Sequence, residues 1–150
     1  MPRTPTESPP RYRILAAIDG SEHGDRVAEH LVRLAGSGAA IEVLLLNVQP
    51  EIVDWQTHGL ATDSMLAHRD QLGAQATERA RKRLDGAGIA YRLRIALGDP
   101  ARTIASVAAE ERCDGIVMGT RGAGAIPGLI LGSVANKVVH LALVPVTLVK

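Results

Sequence analysis

Five short apolar runs alternate along this chain with four longer segments of helical period, and few folds satisfy that alternation. The runs are residues 13–18 (RILAAI), 41–48 (IEVLLLNV), 91–96 (YRLRIA), 115–118 (GIVM) and 144–149 (VPVTLV). The second is apolar almost throughout, as a strand covered on both faces must be, whereas the third alternates and is half exposed. Helical patterns occupy 21–35, about 63–84, 100–112 and 133–141. Val27, Leu31 and Leu34 share one face of the first, with Ser21 and Asp25 in its opening turn. Asp99 and Pro100 form a strong start signal for the third, an N-cap followed by proline at the first helical position. Strand–helix alternation of this kind builds a parallel sheet with helices on both faces.

With 150 residues there is room for one such domain. Four prolines fall in the first ten residues, so 1–11 reads as a flexible leader ahead of a domain over 12–150. The stretch 49–62, which carries Trp55, reads as a surface excursion longer than most strand-to-helix loops. Aromatic residues make up 2% and phenylalanine is absent, which argues against stacking platforms for single-stranded nucleic acid. A net charge of +1 gives no general attraction to nucleic acid or membranes. The most apolar stretch, 138–149, is broken by His140 and Pro145 and is too short to span a bilayer. One cysteine, Cys113, permits no internal disulfide, which favours a reducing compartment, the cytoplasm by default. It sits at an Ala-rich helix end and reads as a small buried residue rather than a nucleophile.

The edges of the sheet carry their own signals. Arg92 and Arg94 alternate along the third strand and suit an edge blunted by charge. The last strand has no charge before Lys150, so pairing with a second copy across a twofold axis is the simplest way to cover it. Arg79, Arg81, Lys82 and Arg83 form a basic cluster interrupted by Glu78 and Asp85, which reads as a solvated helix face rather than a nucleic-acid surface.

The chemistry concentrates after the fourth strand. Gly119-Thr120-Arg121-Gly122 is followed, nine residues on, by Gly132-Ser133 at the start of the last helix. Glycines directly after a buried strand let the backbone turn sharply and approach a ligand. A Gly-Ser pair at a helix N-terminus offers unpaired N–H groups, a hydroxyl and the positive end of the helix dipole. Together these describe a site for a phosphate chain. Arg121 could pair with a phosphate or be a solvated loop arginine, the phosphate role being slightly favoured. Asp19, in Asp19-Gly20-Ser21, serves equally as a turn residue or a ligand contact.

The pattern Gly-x2-Gly-x9-Gly-Ser at Gly119, Gly122, Gly132 and Ser133 resembles the ATP-binding branch of the universal stress proteins. The likeness extends to Ile18-Asp19-Gly20-Ser21, Asn47-Val48, Gly98-Asp99-Pro100, Met118-Gly119 and Val144-Pro145-Val146, nearly the whole chain after the leader. It implies an open parallel five-stranded α/β sheet of order 3-2-1-4-5, of the adenine nucleotide alpha hydrolase-like type. Carried over by position, it implies that Asp19 and the backbone of Val48 hold adenine and ribose. Gly119, Gly122, Gly132, Ser133 and Val134 would line the ribose and phosphates, with Met118 and Arg121 beside them. Ala17 stands where some relatives have proline, a small change in the adenine wall. Leu141-Ala142-Leu143 replaces a more polar segment, a departure expected to touch packing rather than ligand.

Competing motifs are missing. The sequence holds no P-loop, no His-Glu-x2-His and no Gly-x-Ser-x-Gly. Its five histidines, His23, His30, His58, His68 and His140, lack metal-ligand spacing and read as surface or core residues. The reading is a homodimeric sensor or switch that binds ATP, with Mg²⁺ (or Mn²⁺) on the phosphates, and signals to an unidentified regulatory protein. The alternatives are a slow ATPase, for which Ser133, Arg121 and Asp19 are unconvincing bases, and an AMP- or cyclic-nucleotide-binding module.

Overall fold

A computed structural model describes residues 11–51, 62–124, 126–128 and 130–150. The expected leader, apart from Arg11, and residues 52–61 of the expected excursion, with Trp55, lie outside the described residues. Five strands, β1 (Tyr12–Ala17), β2 (Ile41–Gln49), β3 (Tyr91–Leu97), β4 (Gly115–Gly119) and β5 (Val146–Val149), form one parallel sheet in the order β3-β2-β1-β4-β5. That is the order the resemblance implied. Between them run α1 (Glu22–Gly36), α2 (Thr62–Gly86), α3 (Pro100–Glu110) and α4 (Ser133–Leu141).

Strand alternation divides the core in two. Ile14, Ala16, Val43 and Leu45 pack with Val27, Leu31, Ala80 and Leu84 beneath α1 and α2. Leu15, Leu44 and Leu46 pack with Ile104, Val107, Ala108 and Val138 beneath α3 and α4. Because β1 and β2 feed both layers, their apolar residues run almost without interruption. Each large aliphatic side chain removed from water contributes about 1.5–3 kcal/mol, and among the described residues no aromatic one is fully buried, Tyr91 packing at the rim of the core.

Helix ends follow local chemistry. Asp99 caps α3, its carboxylate accepting the Arg102 N–H at 3.0 Å. The helix stops at Glu110, two residues short of expectation, and Arg112 turns left-handed at φ 51°. Cys113 therefore follows α3 rather than ending it, and is buried in the core. β5 starts at Val146, two residues later than expected, although Pro145 already accepts the Ile116 N–H at 2.9 Å. Leu141 and Leu143 beside it are 45% and 91% exposed, and of the Leu141–Leu143 departure only Ala142 packs against the core, as that departure was expected to do.

The arginines take the places expected of them and make ion pairs besides. β3 is an edge of the sheet, as its charges suggested, and Arg92 and Arg94 on it also reach Glu110 and Glu111 at 2.9–3.1 Å, fastening the end of α3 over β3. Arg79 pairs with Asp25 and Arg83 with Glu29, stitching α2 to α1, while Lys82 pairs with Glu78. These three basic side chains remain 47–73% exposed, so the cluster is the solvated helix face expected, with Arg79 and Arg83 ion-paired to α1. Among the described residues, no helix is long and apolar enough to cross a membrane.

Candidate functional site

In an open α/β sheet, ligands bind beyond the carboxyl ends of the strands where the connections reverse direction. Here the reversal lies between β1 and β4, which pair from Ile14↔Gly115 onward. A cavity of about 350 Å³ opens at their ends. That is within the range of about 300–1,000 Å³ usual for small-molecule sites.

Three layers build its wall. Ala17, Ile18 and Asp19 continue β1, Val48 comes from β2, and Met118 and Gly119 end β4. Pro100 and Ile104 of α3 close one side, and Gly132, Ser133 and Val134 bring the start of α4. The roof is the glycine loop with Arg121, Gly122 and Ala123. All ten positions singled out in the sequence border this one cavity: Ala17, Asp19, Val48, Met118, Gly119, Arg121, Gly122, Gly132, Ser133 and Val134. No side-chain hydrogen bond caps α4, whose N-terminus faces the space with its N–H groups.

Asp19 organises the site. Its Oδ1 accepts the Ser21 N–H at 3.0 Å and the Ser21 hydroxyl at 2.6 Å, forming a turn. Its Oδ2 accepts the Ala123 N–H at 2.9 Å and so holds the glycine loop down. Ser21 is the N-cap of α1 by position, but its hydroxyl goes to Asp19 and not to the helix. A carboxylate has about four acceptor sites, so filling three leaves one on Oδ2 for a ligand donor. Close approach requires the glycines. A Cβ at Gly122 would stand 2.6 Å from Asp19 Oδ2, and one at Gly119 2.6 Å from His23 Cβ.

Further bonds brace the frame. Buried Asn47 donates from Nδ2 to the Ile18 carbonyl at 2.7 Å and accepts from Gln49 Nε2 at 2.6 Å, fixing the end of β1. The Thr120 carbonyl accepts the Gly132 N–H at 2.7 Å, while the Thr120 N–H donates to Val149 at 3.0 Å. The loop is therefore tied both to α4 and to the outermost strand. Charge in the wall comes from Asp19 and Arg121, and no ion pair among the described residues engages Arg121. Among those residues no cluster of histidine, cysteine and carboxylate side chains could hold a metal by itself.

Sequence reading missed His23, expected to be an ordinary surface or core residue; it is half-buried in the cavity wall. Its position at the second residue of α1, four residues after the strand-end Asp19, was the available signal. It also missed Ile104, whose apolar helical spacing gave no hint that it faces a ligand space.

A parallel sheet of order β3-β2-β1-β4-β5 with a cavity at its switch point, met by the N-termini of three helices, defines a doubly wound α/β protein. Residues 11–150 match the model of the universal stress protein family, and the chain belongs to that family. It is 34% identical over 142 residues to a universal stress protein of Methanothermobacter thermautotrophicus, covering 93% of this chain and 96% of that protein. The solved structure of hypothetical protein MJ0577 superposes with a TM-score of 0.78 at 27% identity, covering 93% and 95% of the two chains. A universal stress protein family member from Arabidopsis thaliana with AMP bound shares the fold, with a TM-score of 0.67, 21% identity and coverage of 94% and 92%.

Proposed function

We propose that this protein binds an adenine nucleotide in the switch-point cavity, foremost ATP carrying Mg²⁺ (or Mn²⁺), as a cytoplasmic sensor or switch in stress response. The observation that carries this is the convergence of the Gly119–Gly122 loop, the uncapped start of α4 and the last free lone pair of Asp19 on one space. The start of α4, with Ser133 and Arg121, suits phosphate oxygens. Asp19 suits a ribose hydroxyl or the adenine amino group, and Ala17, Val48 and Met118 supply an apolar wall for the base. One arginine cannot neutralise a triphosphate, and a divalent ion on the phosphates would supply the remaining charge.

A second reading, AMP or a cyclic nucleotide, is favoured by that same scarcity of cations. Hydrolysis would be slow at best, since Asp19 has most of its acceptor capacity occupied and is poorly placed to activate water. For signalling, the route is short. The loop bonds through Thr120 to Val149 of β5, whose outer edge pairs with no strand among the described residues and could take a second copy in a homodimer. A regulatory partner would read that state.

The direct test is to denature freshly purified protein and identify released nucleotide by chromatography and mass. Near-stoichiometric ATP or AMP supports the reading and chooses between its forms. Protein that is empty and gains no thermal stability from ATP with Mg²⁺, AMP or cyclic AMP overturns it.

A further inference from the structure

We propose that His23 contacts the ligand, its Nε2–H donating to an oxygen of the nucleotide's sugar–phosphate; this rests on the nucleotide reading above. His23 lines the cavity from the first turn of α1, against Gly119 at the end of β4, where only a glycine leaves room for it. Of its two ring nitrogens, Nδ1 is sealed from solvent and has no hydrogen-bond partner. Nε2 is not among the sealed atoms. A neutral imidazole carries a single N–H, and an orphaned buried donor is rarer than an orphaned lone pair. The proton therefore belongs on Nε2, the nitrogen left on the open side of the ring.

Nothing in the protein uses that donor. The nearby carboxylate of Asp19 is held by Ser21 and Ala123, and no hydrogen bond or ion pair among the described residues engages His23. Packing alone would be served better by leucine, which has similar bulk and leaves no polar atom stranded. A polar ring kept in a binding wall without a protein partner is explained by a partner that arrives with the ligand. Oxygen is the ligand atom that fits an N–H donor, and the ribose and phosphates are where a nucleotide presents it.

Three variants test this: His23→Leu, His23→Gln and His23→Asn, each measured for unfolding temperature without ligand and for calorimetric affinity toward adenosine, AMP and ATP with Mg²⁺. The expected result is a leucine variant as stable as the parent or more so, yet binding AMP about ten- to a hundredfold more weakly. Glutamine, whose amide nitrogen reaches the place of Nε2, should restore affinity to within about threefold, and asparagine, which mimics Nδ1, should not. A loss that includes adenosine assigns the oxygen to ribose; a loss confined to the phosphorylated ligands assigns it to phosphate. Unchanged affinity in the leucine variant overturns the proposal. So does a fall in ligand-free stability with no rescue by glutamine, which would make His23 a packing residue. A parent protein that binds none of the three ligands overturns the nucleotide reading itself.

Discussion

The carboxylate of Asp19 accepts the backbone N–H of Ala123 at 2.9 Å, joining the end of β1 to the glycine loop across 104 residues of sequence. The bond turns a strand-end turn residue into the latch of the cavity roof. With the Ser21 bonds it leaves one acceptor position open, so a single side chain both shapes the site and faces it.

Replacing that carboxylate separates the two duties. Asp19→Ala removes three hydrogen bonds to a charged acceptor and should lower stability by about 1–3 kcal/mol. Nucleotide affinity should fall at least tenfold. Asp19→Asn keeps one acceptor oxygen and should fall between the parent and alanine. Chemical denaturation and titration calorimetry measure both effects.

Gly122→Ala and Gly124→Ala form a matched pair. The new methyl at Gly122 would meet Asp19 Oδ2 at 2.6 Å, and that oxygen is fixed by its bond to Ala123. At Gly124 nothing lies within 4 Å. The first change should cost about 1–3 kcal/mol through overpacking and weaken nucleotide binding; the second should be close to neutral in stability, although Gly124 also lines the cavity. Equal stability of the two variants would mean that the loop does not sit against Asp19 in solution.

Acid should loosen the β3–α3 contact. Arg92 beside Glu111, helped by Arg94, holds the Glu111 carboxyl below the usual carboxylate range. A depressed folded pKa means that its stabilisation is complete above the unfolded value, about 4.3, and is lost as pH falls through the lower folded value. Glu111→Gln should therefore be less stable than the parent at pH 7, with the gap closing as pH drops below about 4. Thermal melts of both proteins from pH 7 to pH 3 supply the comparison.

The outer edge of β5 predicts a concentration-dependent assembly. Leu143, 91% exposed, lies three residues before the start of that strand. Leu143→Glu should leave the monomer's stability unchanged, since the side chain touches little of its own chain, while shifting the protein from dimer to monomer in analytical ultracentrifugation. A parent that sediments as a monomer at every concentration would remove the dimer from the proposed switch.

Burial answers for Cys113. Desolvation pushes its thiol pKa up, and it is enclosed in the core behind α3. Alkylation at pH 8 should be slow in the folded protein and rise to the rate of a free thiol in denaturant. Rapid labelling of the native protein would show that the end of α3 opens readily.

Local physics made much of this legible from the residues themselves. Buried parallel strands must be apolar on both faces, so 13–18 and 41–48 announced the centre of the sheet. Asp99 with Pro100 fixed the start of α3, because a cap and a proline act within one turn. Glycine spacing located the loop and the start of α4, since both need a backbone without Cβ. What tertiary structure decided was which distant groups meet. Arg92 and Arg94 marked β3 as an edge strand, but only the fold brought Glu110 and Glu111 to them, and nothing in the solvated face of α2 told that Asp25 and Glu29 of α1 would pair with Arg79 and Arg83. His23 looked ordinary until the pairing of β1 with β4 set its ring against Gly119. Periodicity and capping depend on neighbours a few residues away and can be read along the chain; these contacts depend on the order of the strands and the packing of helices from opposite ends of the sequence.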